Sequence, residues 1–211
     1  MAANLHETNV RCSCEGPFNK APQSGHHIYP KHCCSPRPPA AKNFVDWYYR
    51  QINDSKPVSQ GYVNGHAAYD KAGHPPADIC INGQVVATPQ EWEKLLEQQR
   101  QAPKQPDPNK RRVRYDLDAY NVHVINADYR FGAPQKMLDV HSPTDGVRMM
   151  MLLTASGTVY LGTGRNKGDD YWEKQDFHDT FILVPNWEVL EKPGNKYGRK
   201  YLAISHNYRA N

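Results

Sequence analysis

Residues 177–184 read Phe177-His178-Asp179-Thr180-Phe181-Ile182-Leu183-Val184. In a strand, alternate residues face opposite sides of the sheet. That places Phe177, Phe181 and Leu183 on one face, and His178, Thr180, Ile182 and Val184 on the other. A sheet with one wet face would keep the second set polar. Here the last four residues are apolar at both parities. Met149-Met150-Met151-Leu152-Leu153 and Tyr201-Leu202-Ala203-Ile204 repeat the pattern. A sheet built from such strands needs cover on both sides.

One cover is legible upstream. Pro39 suits the first position of a helix, where its missing N–H costs nothing. Ala41, Phe44, Val45, Tyr48 and Ile52 then recur at three- and four-residue spacing, an apolar helical stripe. Asp46, Arg50 and Gln51 lie opposite, and Trp47 and Tyr49 widen the apolar surface. Asn53-Asp54-Ser55 and Pro57 end the helix. A short second helix is expected over residues 58–63, closed by Asn64-Gly65, and residues 66–76 read as loop. Asp78-Ile79-Cys80-Ile81, the turn Asn82-Gly83, and Gln84-Val85-Val86-Ala87 form a hairpin signal. Thr88, Pro89 and Glu91 make a capping box for a third helix running through Trp92, Leu95 and Leu96 to about Gln99.

Beyond a polar linker at 103–112 the chain turns to strands. These are expected at 113–128, 147–154, 157–162 after a turn or bulge at Ala155-Ser156, 177–184 and 200–209. Polar loops fill 132–146 and 164–176. Helices early and strands late predict an α+β domain, three helices packed on one face of a curved, mainly antiparallel sheet.

Composition narrows the class. Of 211 residues, 38% are apolar and the mean hydropathy is −0.83, against roughly 45–50% apolar for typical globular chains. Part of that shortfall has a place. Cys12, Cys14, Cys33 and Cys34 crowd the start together with Pro17, Pro22, Pro30, Pro36, Pro38 and Pro39, while Leu5, Val10, Phe18 and Ile28 are its only large aliphatic and Phe residues. Such a stretch cannot offset its ordering entropy by burial. Residues 1–38 are therefore expected to be a disordered Cys/Pro-rich segment before a domain at 39–211. C-x-C and adjacent C-C spacing does not match a zinc knuckle, so no metal and no cofactor is expected. No apolar run spans a membrane, and Met1 to Val10 lacks the apolar core of a signal peptide, which predicts an intracellular protein. The formal charge of +4 is mild; it permits nucleic-acid or acidic partners without demanding them.

Three covers suit the second sheet face: the sheet curling on itself, a small ligand within the cone, or another protein. The methionines favour a protein, since Met adapts readily to contact surfaces. Such a partner would cover roughly 800 Å² per side.

Phe44-Val45-Asp46-Trp47-Tyr48-Tyr49 resembles the first helix of nuclear transport factor two-like domains. Ile81-Asn82-Gly83 with the helix at Trp92 resembles their hairpin and third helix. Phe177-His178-Asp179-Thr180-Phe181-Ile182-Leu183 resembles their F-x-x-T-F-x-L strand, and Ile204-Ser205-His206-Asn207-Tyr208-Arg209 their closing strand. Together these cover residues 40–211. Within the family the likeness is to small subunits of the general mRNA export receptor. It implies a non-enzymatic adaptor that pairs sheet to sheet with the similar domain of the large receptor subunit. The dimer would bind Phe-Gly nucleoporins, carry mRNA and ribosomal subunits, and shuttle between nucleus, nuclear pore and cytoplasm.

The family's closing aromatic-Arg places Arg209 against the partner, where a guanidinium can bind a carboxylate bidentately. Alternation then puts Asn207, Ser205, Ala203 and Tyr201 on its side, with His178, Thr180, Ile182 and Val184 beside them. The fold also hosts dehydratases and isomerases, which need an acid–base pair inside the cone. Asp116, Asp118, His123, His66, Asp70 and His74 are the residues weighed for that role. Strict alternation separates Asp116 and Asp118 from His123. Lys110, Arg111 and Arg112 form a basic cluster suited to weak RNA contact.

Overall fold

A computed structural model describes residues 39–101, 112–162, 173–192 and 199–211. The basic pair Lys110 and Arg111 and the expectations for residues 1–38 lie outside these; of Arg112 only the backbone is described.

Helix α1 spans Pro39–Asn53. Its predicted stripe is its buried face: Ala41, Phe44, Val45, Tyr48 and Ile52 are almost wholly inaccessible. Asn53 closes it and reaches across to an edge strand, donating from Nδ2 to Tyr115 O at 2.9 Å and accepting from Tyr115 N at 2.8 Å. One side chain thus satisfies both backbone groups of a residue at an otherwise unpaired sheet edge. After α1 only a 3-10 turn, Ser59–Gly61, stands where a second helix was expected. Helix α2, Ala67–Lys71, lies in the predicted loop.

Strands β1 (Asp78–Ile81) and β2 (Gln84–Val86) form the hairpin. Helix α3, Pro89–Arg100, starts on the expected cap, with Thr88 Oγ1 accepting from Glu91 N at 3.2 Å. Strands β3 (Arg112–Asn126), β4 (Met150–Gly162), β5 (Glu173–Pro185) and β6 (Tyr201–Ala210) complete a six-stranded sheet in the order β2-β1-β6-β5-β4-β3. Among these six strands β1 and β6 are the pair that runs parallel, and an isolated parallel bridge joins Tyr62 to Ala203. Helices α1 and α3 pack against the sheet, the predicted α+β arrangement.

Four boundaries differ from the sequence reading. β4 runs unbroken through Ala155-Ser156; the irregularities sit in its neighbour β3, around Asp118 and Ile125. β5 starts at Glu173, inside a predicted loop, because pairing with β4 outweighs the polarity of residues 173–176. The loop after β3 folds a helix, α4 (Gln135–Val140), and a 3-10 turn at Pro143–Asp145. A short α5, Trp187–Leu190, follows β5.

Gly157 explains why β4 can pass so close to its neighbours. A Cβ there would meet the carbonyl oxygen of Asp116, and the Phe177 ring at 2.9 Å. Gly157→Ala should therefore cost about 2 kcal/mol, since crowding a packed site forces backbone shifts. A thermal melt indistinguishable from the parent would contradict this packing.

Candidate protein-interaction face of the sheet

The buried side of the sheet is identified by pairing. Phe181 lies opposite His206, and Asp179 opposite Tyr208; all four are almost completely inaccessible. Residues directly opposite on paired strands share a face. The outward rows are therefore His178 with Arg209, Thr180 with Asn207, and Ile182 with Ser205. They continue into β4 as Ser156, Thr154 and Leu152, and into β3 as Ala119, Asn121 and His123. Through the parallel pairing Asn207 meets Cys80, which lies opposite Val85 on β2. The row Asn121, Thr154, Thr180, Asn207, Cys80, Val85 thus crosses all six strands. Val85 is 82% exposed.

This face mixes apolar and hydrogen-bonding groups. A shallow depression of about 130 Å³ is lined by Ala119, Tyr120, Asn121, Thr154, Ala155, Ser156 and His178. At one end the Tyr160 ring has Arg114 and Lys174 at 4.6 and 5.4 Å. Arg209 and Asn207 are exposed.

Three predicted face residues are placed differently. β6 is one residue out of step with β5 between Ile182 and Leu183, so Ile204 is left over and the alternation resets. Ala203 then lies opposite Leu183 and Tyr201 opposite Pro185, and both are buried. Counting back from Arg209 is valid only as far as Ser205, because a bulge shifts the phase by one residue. Val184 keeps its parity but is buried opposite Leu202 within this chain. Sequence reading missed Leu152, Asn121, His123 and Cys80, which join the face only through pairing.

Behind these rows lies a buried polar chain. His206 Nε2 is 2.7 Å from Asp179 Oδ1. Tyr49 donates its hydroxyl to Asp179 Oδ2 at 3.0 Å. The Tyr62 hydroxyl is 2.8 Å from His206 Nδ1 and 3.1 Å from the Tyr48 hydroxyl. Trp92 Nε1 donates to the Tyr48 oxygen at 2.9 Å. Burial holds the phenols of Tyr48, Tyr49 and Tyr62 well above the usual tyrosine range, so they stay protonated as hydrogen-bonding groups. The chain ties α1, the 3-10 turn and α3 to the two central strands.

An Asp–His pair therefore exists inside the cone, built from residues other than those weighed as acid and base. Asp179 is 2% exposed and His206 1%. Phe181 stacks on the imidazole at a centroid distance of 4.4 Å, and Tyr48, Tyr62 and Trp92 ring it at 5.9 Å. Aromatic rings occupy the space a substrate would need. The residues that were weighed stand apart. Asp116 is paired with Arg114 at 2.7 Å, His66 faces Glu188 at 3.8 Å, and His74 packs against Tyr69 and Phe131. The irregularity at Asp118 brings Asp116 and His123 to one face, opposite Thr158 and Leu152. Those rows are six residue steps apart along β4, about 20 Å.

Among the described residues no helix is long and apolar enough to cross a membrane, and no group of three His, Cys, Asp or Glu could hold a metal.

No known family model matches the chain, and no curated protein does. Solved structures do. One, described as "Sac3N peptide bound to Mex67:Mtr2", contains a chain 64% identical, with a TM-score of 0.73, over 82% of this chain and 97% of that one. A second, "Chaetomium thermophilum Mex67 NTF2-like domain complexed with Mtr2", matches at 63% identity and a TM-score of 0.73, over 82% and 96%. The third, "Structure of Mtr2", matches at 62% identity and a TM-score of 0.72, over 82% and 97%. Because the third concerns Mtr2 by itself, Mtr2 is the subunit that this chain resembles in the two complexes. At this identity across nearly the full length of those chains, the protein belongs to the Mtr2 family and shares its nuclear transport factor two-like fold.

Proposed function

We propose that this chain is the small, non-enzymatic subunit of a heterodimeric mRNA export receptor. It binds the nuclear transport factor two-like domain of the large subunit through its outward sheet face. The carrying observation is the row of side chains that crosses all six strands without cover from any other described residue. It fits a partner of similar shape laid flat against it. Its relatives have been solved with Mex67, one of them with the matching domain. His178, Thr180, Ile182, Ser205, Asn207 and Arg209 are the contacts, with Leu152 and Asn121 beside them.

The reading includes a role at the nuclear pore and shuttling to the cytoplasm. Phe-Gly nucleoporins, mRNA and ribosomal subunits are reached through the dimer. The occluded Asp179–His206 pair supports a structural role over a catalytic one.

Co-expression with the large subunit tests the reading. A soluble one-to-one complex is expected, where the chain alone self-associates or precipitates through its uncovered face. A well-behaved monomer that does not bind that subunit would overturn it. Arg209→Glu should lower affinity about tenfold while leaving the circular dichroism of the complex unchanged, because the side chain is exposed and holds no part of the core.

A further inference from the structure

Arg199 lies two residues before β6, and its guanidinium carbon sits 3.9 Å from the centroid of the Trp47 ring on α1. The ring is held on another flank by Gly61, where a Cβ would come within 2.7 Å of Trp47 Cζ3. Trp47 also contacts Phe44 at 6.2 Å, and Phe44 meets inward-facing Phe181 at 5.4 Å. The pair therefore lies on the helix side of the sheet, away from the outward face.

Stacking fixes the plane of the guanidinium and leaves its N–H edge to find acceptors. Among the described residues none supplies one. Arg199 Nε is buried without a hydrogen-bond partner, and no ion pair between described residues involves this side chain. Desolvation also works against its charge. A partly buried cation with no anion among the described residues is costly, and here its plane is set by the Trp47 ring. Two further cations neighbour the pair along the chain. Lys200 follows it and is exposed. Arg50, one turn beyond Trp47 on α1, forms no ion pair with a described residue. Asp46 is already taken by Lys42 at 2.6 Å.

We propose that Arg199, braced on Trp47, is a docking point for a carboxylate side chain of an acidic peptide segment in a second protein. The planar fork matches a carboxylate bidentately. The guanidinium already occupies the Trp47 ring, so the indole is not free as a stacking platform for a base; that favours a peptide over single-stranded RNA. The site leaves the sheet face clear, so an acidic segment and the large receptor subunit can be held together. The site does not depend on what covers that face.

The test uses the purified full chain, with the large subunit bound where it co-purifies. The probe is an acetylated, amidated Glu-Glu-Asp-Glu peptide, followed by the Arg199 Nε–H resonance and the Trp47 indole N–H. A saturable shift of both is expected, absent with the Gln-Gln-Asn-Gln peptide. Arg199→Lys, which keeps the charge but loses the fork, should weaken binding at least tenfold. Trp47→Phe should weaken it less. No saturable shift, or equal shifts with the neutral peptide, would overturn the site. Tighter binding of inorganic phosphate or oligouridylate would overturn the assignment to a carboxylate.

Discussion

Asp179→Ala is expected to destabilise the domain by about 3–5 kcal/mol, the cost of breaking a buried pair by removing one partner. The carboxylate faces His206 Nε2 at 2.7 Å and accepts from Tyr49 at 3.0 Å. Its loss leaves the imidazole and the phenol without that partner, and both residues are almost inaccessible to solvent. Native domains have only about 5–15 kcal/mol to spare, so the variant should be largely insoluble or melt many degrees lower. Asp179→Asn retains an acceptor for Tyr49 and should lose about 1–3 kcal/mol, the range for one unsatisfied buried group. Chemical denaturation of the co-purified complex measures both. A loss below about 1 kcal/mol for the alanine variant would mean that the pair does not hold the sheet to its helices. His206→Phe is the complementary case: apolar packing against Phe181 is kept, but Asp179 is left a buried carboxylate with Tyr49 as its remaining donor, so the cost should be at least as large as for Asp179→Ala.

Ile182→Asp should weaken binding to the large receptor subunit on the order of 100-fold, about 2.7 kcal/mol. Ile182 is partly exposed in the row with Ser205 and Leu152. A carboxylate there is solvated in the free chain and stranded once a partner excludes water. Lys94→Glu is the control. Lys94 is exposed on α3, on the helix side, and its reversal should leave the affinity unchanged. Isothermal titration or surface-immobilised binding separates the two. Equal affinity for the parent and the Ile182→Asp chain would remove the sheet face as the site of pairing. A loss from Lys94→Glu alone would move the interface to the helices.

These two substitutions act on opposite sides of the same pair of strands. Asp179 and Phe181 point into the cone, while Thr180 and Ile182 point out of it. One residue of offset therefore separates a folding defect from a binding defect.

Local chemistry in the chain settles a good deal. The spacing of Phe44, Val45, Tyr48 and Ile52 makes α1 and names its buried face, because 3.6 residues per turn leave no other face apolar. Thr88 and Glu91 start α3, and Asn82-Gly83 turns the hairpin; each is a contact within a few residues. Apolar residues at both parities of the late strands predict a sheet that needs cover on both sides, while the fold buries Val184, Tyr201, Leu202 and Ala203 within this chain. The likeness to nuclear transport factor two-like domains rested on the order of such segments along the chain.

What tertiary pairing alone decides is phase and partnership. A strand's alternation identifies its two faces but not where a bulge moves them. The extra residue at Ile204 sends Ala203 and Tyr201 inward, and the irregularity at Asp118 turns His123 to the face of Asp116. Asp179 and His206 lie 27 residues apart, and nothing around either one marks it as half of a pair; antiparallel registry of β5 and β6 brings them together. Arg199 and Trp47 are more than 150 residues apart, and they meet only when the start of β6 is laid against α1. Short-range preferences are properties of neighbouring residues and can be read from the chain. Registry and long-range contact depend on how whole strands pair and pack, and so belong to the folded molecule.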